Sequence, residues 1–213
     1  MYLSRLKLNP STRKTREMLI NPYTLHQAVY RAFPDKADGG PGRVLYRIDQ
    51  SERSATVSLL VQSEKVPDWN RAVYLGECLL EKAECKPFSP TIAAGQHLYF
   101  RLRANPSVKK QAENKKNGHR VGLLREEDQI NWLCRKANDS GFSLITCHSV
   151  PEGIVYDEKG QQHKAKLRHY AVLFEGVLKV VDPNIFVIAL RDGIGSAKGF
   201  GFGLLSVAPA REG

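Results

Sequence analysis

The chain opens on an alternation in which Tyr2, Ser4, Leu6 and Leu8 share one side of an extended segment and Leu3, Arg5 and Lys7 the other. A period of two predicts a strand with one wetter face, closed at Asn9-Pro10. A basic stretch follows, and then Asn21-Pro22 supplies a capping side chain and a proline at the first helical position, where its missing N–H costs nothing. The helix expected from there to about Phe33 has an apolar stripe of Leu25, Ala28, Val29, Ala32 and Phe33, while Tyr23, His26 and Tyr30 recur beside it at i, i+3 and i+7. Pro34 and the run Asp38 to Gly42 end that unit. RVLYRID and ATVSLLVQS then read as strands joined by a polar turn over Gln50 to Ser54, with a short helix around Trp69 to Tyr74 and a last strand near Leu79. The order is βαββαβ, the ferredoxin-like plan.

The pattern restarts at Gln96 to Asn105, where HLYFRLRANP repeats the texture of YLSRLKLNP, an aromatic-led strand with alternating basic residues that ends at Asn-Pro. Ile130, Leu133, Cys134 and Ala137 then recur at helical spacing in Arg125 to Asn138, behind acidic Glu126, Glu127 and Asp128, which suit a helix N-terminus. FSLITCHSV, IVYDE and HKAKLRHYAVLFEGVLKV read as strands, the latter two paired by a turn at Lys159-Gly160. Asp182-Pro183 caps a final helix through Arg191, and a glycine-rich loop, GIGSAKGFGFG, leads into the strand LLSVAP. The expected architecture is α+β, with tandem ferredoxin-like (RRM-related) domains over residues 1–90 and 91–213 and an added basic β-hairpin in the second.

Charge narrows the function. Lysine and arginine number 32 against 22 aspartate and glutamate, a net +10 over 213 residues that marks a polyanion binder without choosing among RNA, DNA and a membrane surface. No run approaches the roughly 18 apolar residues of a membrane span, and MYLSRLKLNP lacks the apolar core of a signal peptide, so a cytoplasmic location is expected. Cys78, Cys85, Cys134 and Cys147 form neither a C-x-x-C pair nor a C2H2 pattern and read as buried thiols.

Three features could carry chemistry on a polyanion. His26 has a side chain that gives or takes a proton at neutral pH, which RNA cleavage requires at the attacking 2′-hydroxyl and at the departing 5′-oxygen; Tyr23, one turn away, can donate a hydrogen bond. A histidine beside an apolar stripe is equally at home as a surface residue, so the pair alone decides nothing. The glycine loop, with Gly193, Gly195, Ser196, Lys198 and Gly199, has neither the dinucleotide nor the P-loop order, and both a close phosphate cradle and a flexible connection fit it. Basic clusters occur at Arg13, Lys14 and Arg16, at Lys109 to Arg120, expected to be a mobile loop without RNA, and at Lys164, Lys166 and Arg168, which alternate along a strand and could track phosphates beyond Lys159. The acidic residues form no D-x-D cluster for two metals, and no histidine begins an H-x-[ST] motif, so neither a metal nor a small-molecule cofactor is expected.

YFRLRANP (Tyr99 to Pro106), FEGVL (Phe174 to Leu178), GIGSAKGFGFGLLSVAP (Gly193 to Pro209), the opening MYLS and the helix YTLHQAVYRAFP (Tyr23 to Pro34) together resemble the CasE family, the CRISPR repeat endoribonucleases of type I-E systems. The resemblance implies repeat RNA bound across a basic surface formed by both domains and cut at the 3′ base of the stem-loop without a metal. The products would be a 5′-hydroxyl and a 2′,3′-cyclic phosphate or 3′-phosphate. It implies that His26 matches the catalytic histidine, that Tyr23 assists it, that the hairpin around Lys159 enters the stem's major groove, and that the hairpin product is kept within the Cascade complex. Some members carry a basic residue immediately after the histidine. Gln27 departs from this, which leaves Lys198 and Arg31 as candidates to meet transition-state charge. A non-catalytic tandem RRM-like RNA-binding module is the alternative.

Overall fold

The computed structural model describes residues 1–51, 56–110, 119–157 and 167–210. In the first half, β1 (Tyr2–Leu8), β2 (Val44–Ser51), β3 (Thr56–Ser63) and β4 (Glu84–Pro87) form an antiparallel sheet in the order β2-β3-β1-β4. The alternation in the opening strand is realised, with Ser4, Leu6 and Leu8 buried. Helices α1 (Arg13–Ile20), α2 (Pro22–Tyr30) and the short α3 (Val73–Gly76) accompany the sheet. Leu25 and Val29 of α2 join Leu6, Leu8, Tyr46 and Leu59 in one core.

The second half repeats the plan. Its strands β5 (His97–Ala104), β8 (Phe142–Asp157), β9 (Leu167–Val180) and β10 (Leu205–Pro209) pair in the order β10-β5-β9-β8. Between β5 and the next helix lies a separate hairpin of β6 (Ser107–Lys110) and β7 (His119–Gly122). Helices α4 (Glu126–Asp139) and α5 (Pro183–Asp192) place Trp132, Leu133, Phe186 and Leu190 in a second core with Leu102, Phe142 and Phe174. In each sheet the four strands stand in the order last, first, third, second, so the fold is a tandem ferredoxin-like one. Strands β8 and β9 make the longest ladder, and its register shifts at Leu144/Thr146 and Pro151/Gly153. Gly176 faces the first shift so closely that a Cβ there would lie 2.1 Å from the Thr146 carbonyl oxygen.

Several expectations are corrected. Helix α1 occupies the basic stretch that showed no helical pattern: Thr12 caps it by accepting from Thr15 N–H, and Thr15 and Met18 are its buried positions. Helix α2 stops at Tyr30 rather than Phe33, although Ala32 and Phe33 remain buried. The final strand of the first half lies at Glu84–Pro87, whereas Leu79 makes a single bridge to Leu8. Helix α4 buries Gln129, Trp132, Leu133 and Ala137 and exposes Cys134, because this rotation brings the large Trp132 ring into the core against Phe174. Of the four thiols only Cys78 is buried; Cys85 and Cys134 are exposed and Cys147 is intermediate. The ends of the expected mobile loop pair as strands, with Lys109 opposite Arg120. Lys159, Lys164 and Lys166, the Lys159-Gly160 turn and most of the Gln50 to Ser54 turn lie outside the described residues. Among the described residues no helix is long and apolar enough to cross a membrane.

Candidate functional site at the junction of the two halves

Helix α2 is aimed by its first residue. Asn21 ends α1 by donating its N–H to Glu17 O, and its side-chain oxygen accepts from Tyr23 N–H and Thr24 N–H, satisfying donors that a helix start leaves open. Leu25, Ala28 and Val29 anchor the opposite face in the core, so Tyr23, His26 and Tyr30 are held along an open hollow of about 660 Å³ that Arg31 and Tyr74 also line. The His26 and Tyr30 rings lie 4.1 Å apart, centroid to centroid. Gln27, where some CasE proteins carry a cation, donates from Nε2 to Tyr23 Oη at 3.0 Å and so fixes the phenol.

The glycine loop of the second half reaches the same helix at His26. Flexibility is not what the glycine loop uses its composition for. Ile194 N–H donates to Gly203 O, Gly203 N–H to Arg103 O and Phe200 N–H to Ala197 O, while Ile194, Phe202 and Leu204 are buried. A Cβ at Gly193 would meet Gly203 O at 2.7 Å and Leu45 Cδ1 at 2.8 Å, and Ala197 is held at φ 61°, a region that residues with a Cβ seldom occupy. Thus folded, the loop lays Gly199 on the imidazole: a Cβ built there would stand 3.5 Å from both Cε1 and Nδ1 of His26. Tyr46, buried on β2, donates from Oη to Gly199 O at 2.7 Å.

Positive charge sits at the same place. The Lys198 ammonium is held below its ordinary pKa first by burial and then by Arg43, with Asp192 opposing. Burial raises the Tyr30 phenol, and Arg43 pulls it back. Burial also drives the Tyr46 phenol far above its ordinary value, so it stays a protonated donor. His26, Tyr23 and Arg31 line the hollow, Arg43 acts on its Tyr30, and Lys198 adjoins the Gly199 that meets His26, so proton transfer and positive charge come together around it, the combination that cleavage of a phosphodiester by an internal hydroxyl demands.

The remaining candidates fall elsewhere. Lys14 reaches the rim, over the Tyr74 ring at 5.3 Å and ion-paired with Glu77, while Arg13 pairs with Glu17 and Arg16 bonds Ser11 O. Gly195 and Ser196 turn away from His26 into a second hollow with Lys109, Arg120 and Arg135, where Gly195 lies against Trp132. Arg168 covers the Tyr156 ring at 5.9 Å on the β8–β9 ladder. Among the described residues no three His, Cys, Asp or Glu side chains are grouped to hold a metal ion. Arg43 and Tyr46 escaped the sequence reading, since nothing in RVLYRID marks a residue whose partner is about 150 positions away.

A family model for CRISPR associated proteins matches residues 1–209. The chain is 37% identical to the CRISPR-associated endoribonuclease Cse3 of Thermus thermophilus, with 98% of this chain and 100% of that protein aligned. It is 30% identical to the CRISPR system Cascade subunit CasE of Escherichia coli over the same shares. The solved structure of CRISPR endoribonuclease Cse3 bound to a 19-nucleotide RNA superposes with a TM-score of 0.83 at 34% identity, covering 98% of this chain and all of that one. End-to-end agreement in sequence and fold makes this chain a member of the CRISPR associated protein family.

Proposed function

We propose that this protein is a metal-independent endoribonuclease that binds CRISPR repeat stem-loops, cuts the precursor transcript at the 3′ base of the hairpin and keeps the product as a subunit of the Cascade complex. The observation that carries the reading is the meeting of His26, on the hollow along α2, with Gly199 of the Lys198–Phe200 turn, which brings a proton-transfer group of one half against the cation-bearing loop of the other. Relatives named for endoribonuclease activity and for Cascade, one of them solved with RNA, support it.

In the reaction the ribose 2′-oxygen attacks the adjacent phosphorus, forming P–O2′ as P–O5′ breaks. The attacking hydroxyl gives up a proton, the departing 5′-oxygen gains one, and the products are a 2′,3′-cyclic phosphate and a 5′-hydroxyl. His26 moves a proton at an imidazole nitrogen, and Tyr23, steadied by Gln27, assists by donating to the phosphate or the leaving oxygen. Lys198, Arg43 and Arg31 offset the charge that grows on the phosphorane. Arg13, Lys14 and Arg16 on α1, the basic residues Lys159, Lys164, Lys166 and Arg168, and Gly193, Gly195 and Ser196 on the loop contact the RNA backbone. Residues 1–90 and 91–213 form the two ferredoxin-like domains, and the enzyme works in the cytoplasm.

The test is cleavage of the organism's own repeat RNA by the purified protein in excess EDTA. Cutting should persist, and His26→Ala should slow it by about 10²- to 10⁴-fold with hairpin affinity nearly unchanged. Tight binding that leaves RNA intact would favour a non-catalytic RNA-binding module, and cutting that returns only with magnesium would end the proton-transfer mechanism.

A further inference from the structure

We propose that Tyr46 is a positioning residue for cleavage, holding the glycine loop against the His26 ring through its hydrogen bond to the Gly199 carbonyl. This inference rests on the reading of His26 as the group that moves the proton.

The geometry leaves the histidine dependent on the loop. One face of the imidazole is met by Tyr30, at 4.1 Å between centroids, and Gly199 stands against the ring at a separation a Cβ would turn into ordinary contact. Gly199 belongs to the short turn Lys198–Phe200, bounded by Ala197 at φ 61° and Gly201 at φ 80°. A turn bounded by two left-handed residues holds its shape only where neighbours fix it. Tyr46 fixes it twice. Its hydroxyl donates to Gly199 O at 2.7 Å, and its ring packs so near Gly201 that an added Cβ would lie 3.2 Å from Cε2. The ring itself is rigid, since Tyr46 is 1% exposed in the first core. A rod planted in β2 of one half therefore sets where the loop of the other half lies, and with it the imidazole and the neighbouring Lys198. Proton transfer is sensitive to such placement, because a shift of a fraction of an ångström changes rate while hairpin binding, spread over many contacts, hardly notices.

Tyr46→Phe removes the hydroxyl and keeps the ring. Under single turnover with protein in excess, cutting should slow about tenfold while hairpin Kd stays within about twofold. In a His26→Ala background the same change should cost nothing further, since its route to the chemistry has gone. Gln62→Met serves as the control for docking of the halves: Gln62 Nε2 donates to Leu190 O at 2.6 Å in another buried bond between them, so this change should lower Tm and slow cutting much less than Tyr46→Phe does. Wild-type rate in Tyr46→Phe, an equal loss in the His26→Ala background, or an equal slowing by Gln62→Met would each overturn the assignment. Full activity of His26→Ala would remove the catalytic reading as well, so the two failures are distinct.

Discussion

Lys198 carries its charge where the fold disfavours it, which separates its structural cost from its use. Burial, the largest cause, and then Arg43 depress its pKa against the pull of Asp192. Between the folded value and the ordinary one the unfolded chain binds more protons, so stability rises as pH climbs through that window, and at neutral pH the charge works against folding. Lys198→Met keeps the stem and drops the charge. Its melting temperature at pH 7 should equal or exceed that of the natural protein, while hairpin affinity falls and the slope of log K against log salt shrinks by about 0.7 to 0.9, one phosphate's worth. A lower Tm with unchanged affinity would make the lysine a structural residue. Helical spacing and side-chain chemistry made His26 and Tyr23 nameable as candidates on one face of α2, and they do line one hollow, although the pair by itself chose no role. Lys198 could be read only as a charge in a glycine-rich loop, since Arg43 beside it and the His26 ring that meets the adjacent Gly199 lie far away in sequence.

Among the elements, the α1–α2 corner decides where the imidazole points. Asn21 serves both helices, closing α1 with its backbone and opening α2 with its side chain. Asn21→Ala should cost about 1 kcal/mol, seen as a lower urea midpoint with an unchanged m-value, and Asn21→Asp or Asn21→Ser should recover most of it. Cutting should slow along with the loss of the cap, because the first turn of α2 holds Tyr23. A full rate in Asn21→Ala would show that core packing through Leu25 and Val29 aims the helix unaided. The Asn-Pro signal made α2 readable, whereas α1 went unseen although Thr12 caps it, because its sequence RKTREMLI shows charge more loudly than the buried pair Thr15 and Met18. Strand β4 was misplaced for a related reason: all of Glu84–Pro87 is exposed, so no alternation betrays it.

The site exists only while the two halves stay docked, and Arg47 is the residue most committed to that. It is 3% exposed. Nε and Nη2 grip Asp49 as a fork at 2.7 and 3.0 Å, and Nη1 turns to the second half, donating to Ser206 Oγ at 2.8 Å, the Arg101 carbonyl at 3.1 Å and the Leu204 carbonyl at 3.4 Å. Asp49 is also met by Arg101, which in turn holds Glu175. Such a network has no period and no motif, so sequence could foresee two similar units but not the clasp between them. Arg47→Met strands the Asp49 carboxylate and the second half's acceptors. The expected loss is about 3 kcal/mol, at the lower end for a broken buried pair because Asp49 is 24% exposed and keeps Arg101. Cutting should fall in parallel, since His26 and Gly199 come from opposite sides of the loosened junction. Arg47→Lys discriminates between charge and shape: a single ammonium cannot span Asp49 and the three acceptors that a planar guanidinium reaches at once, so most of the stability and rate should stay lost. Full recovery by lysine would mean that charge alone docks the halves and that the fork geometry is incidental.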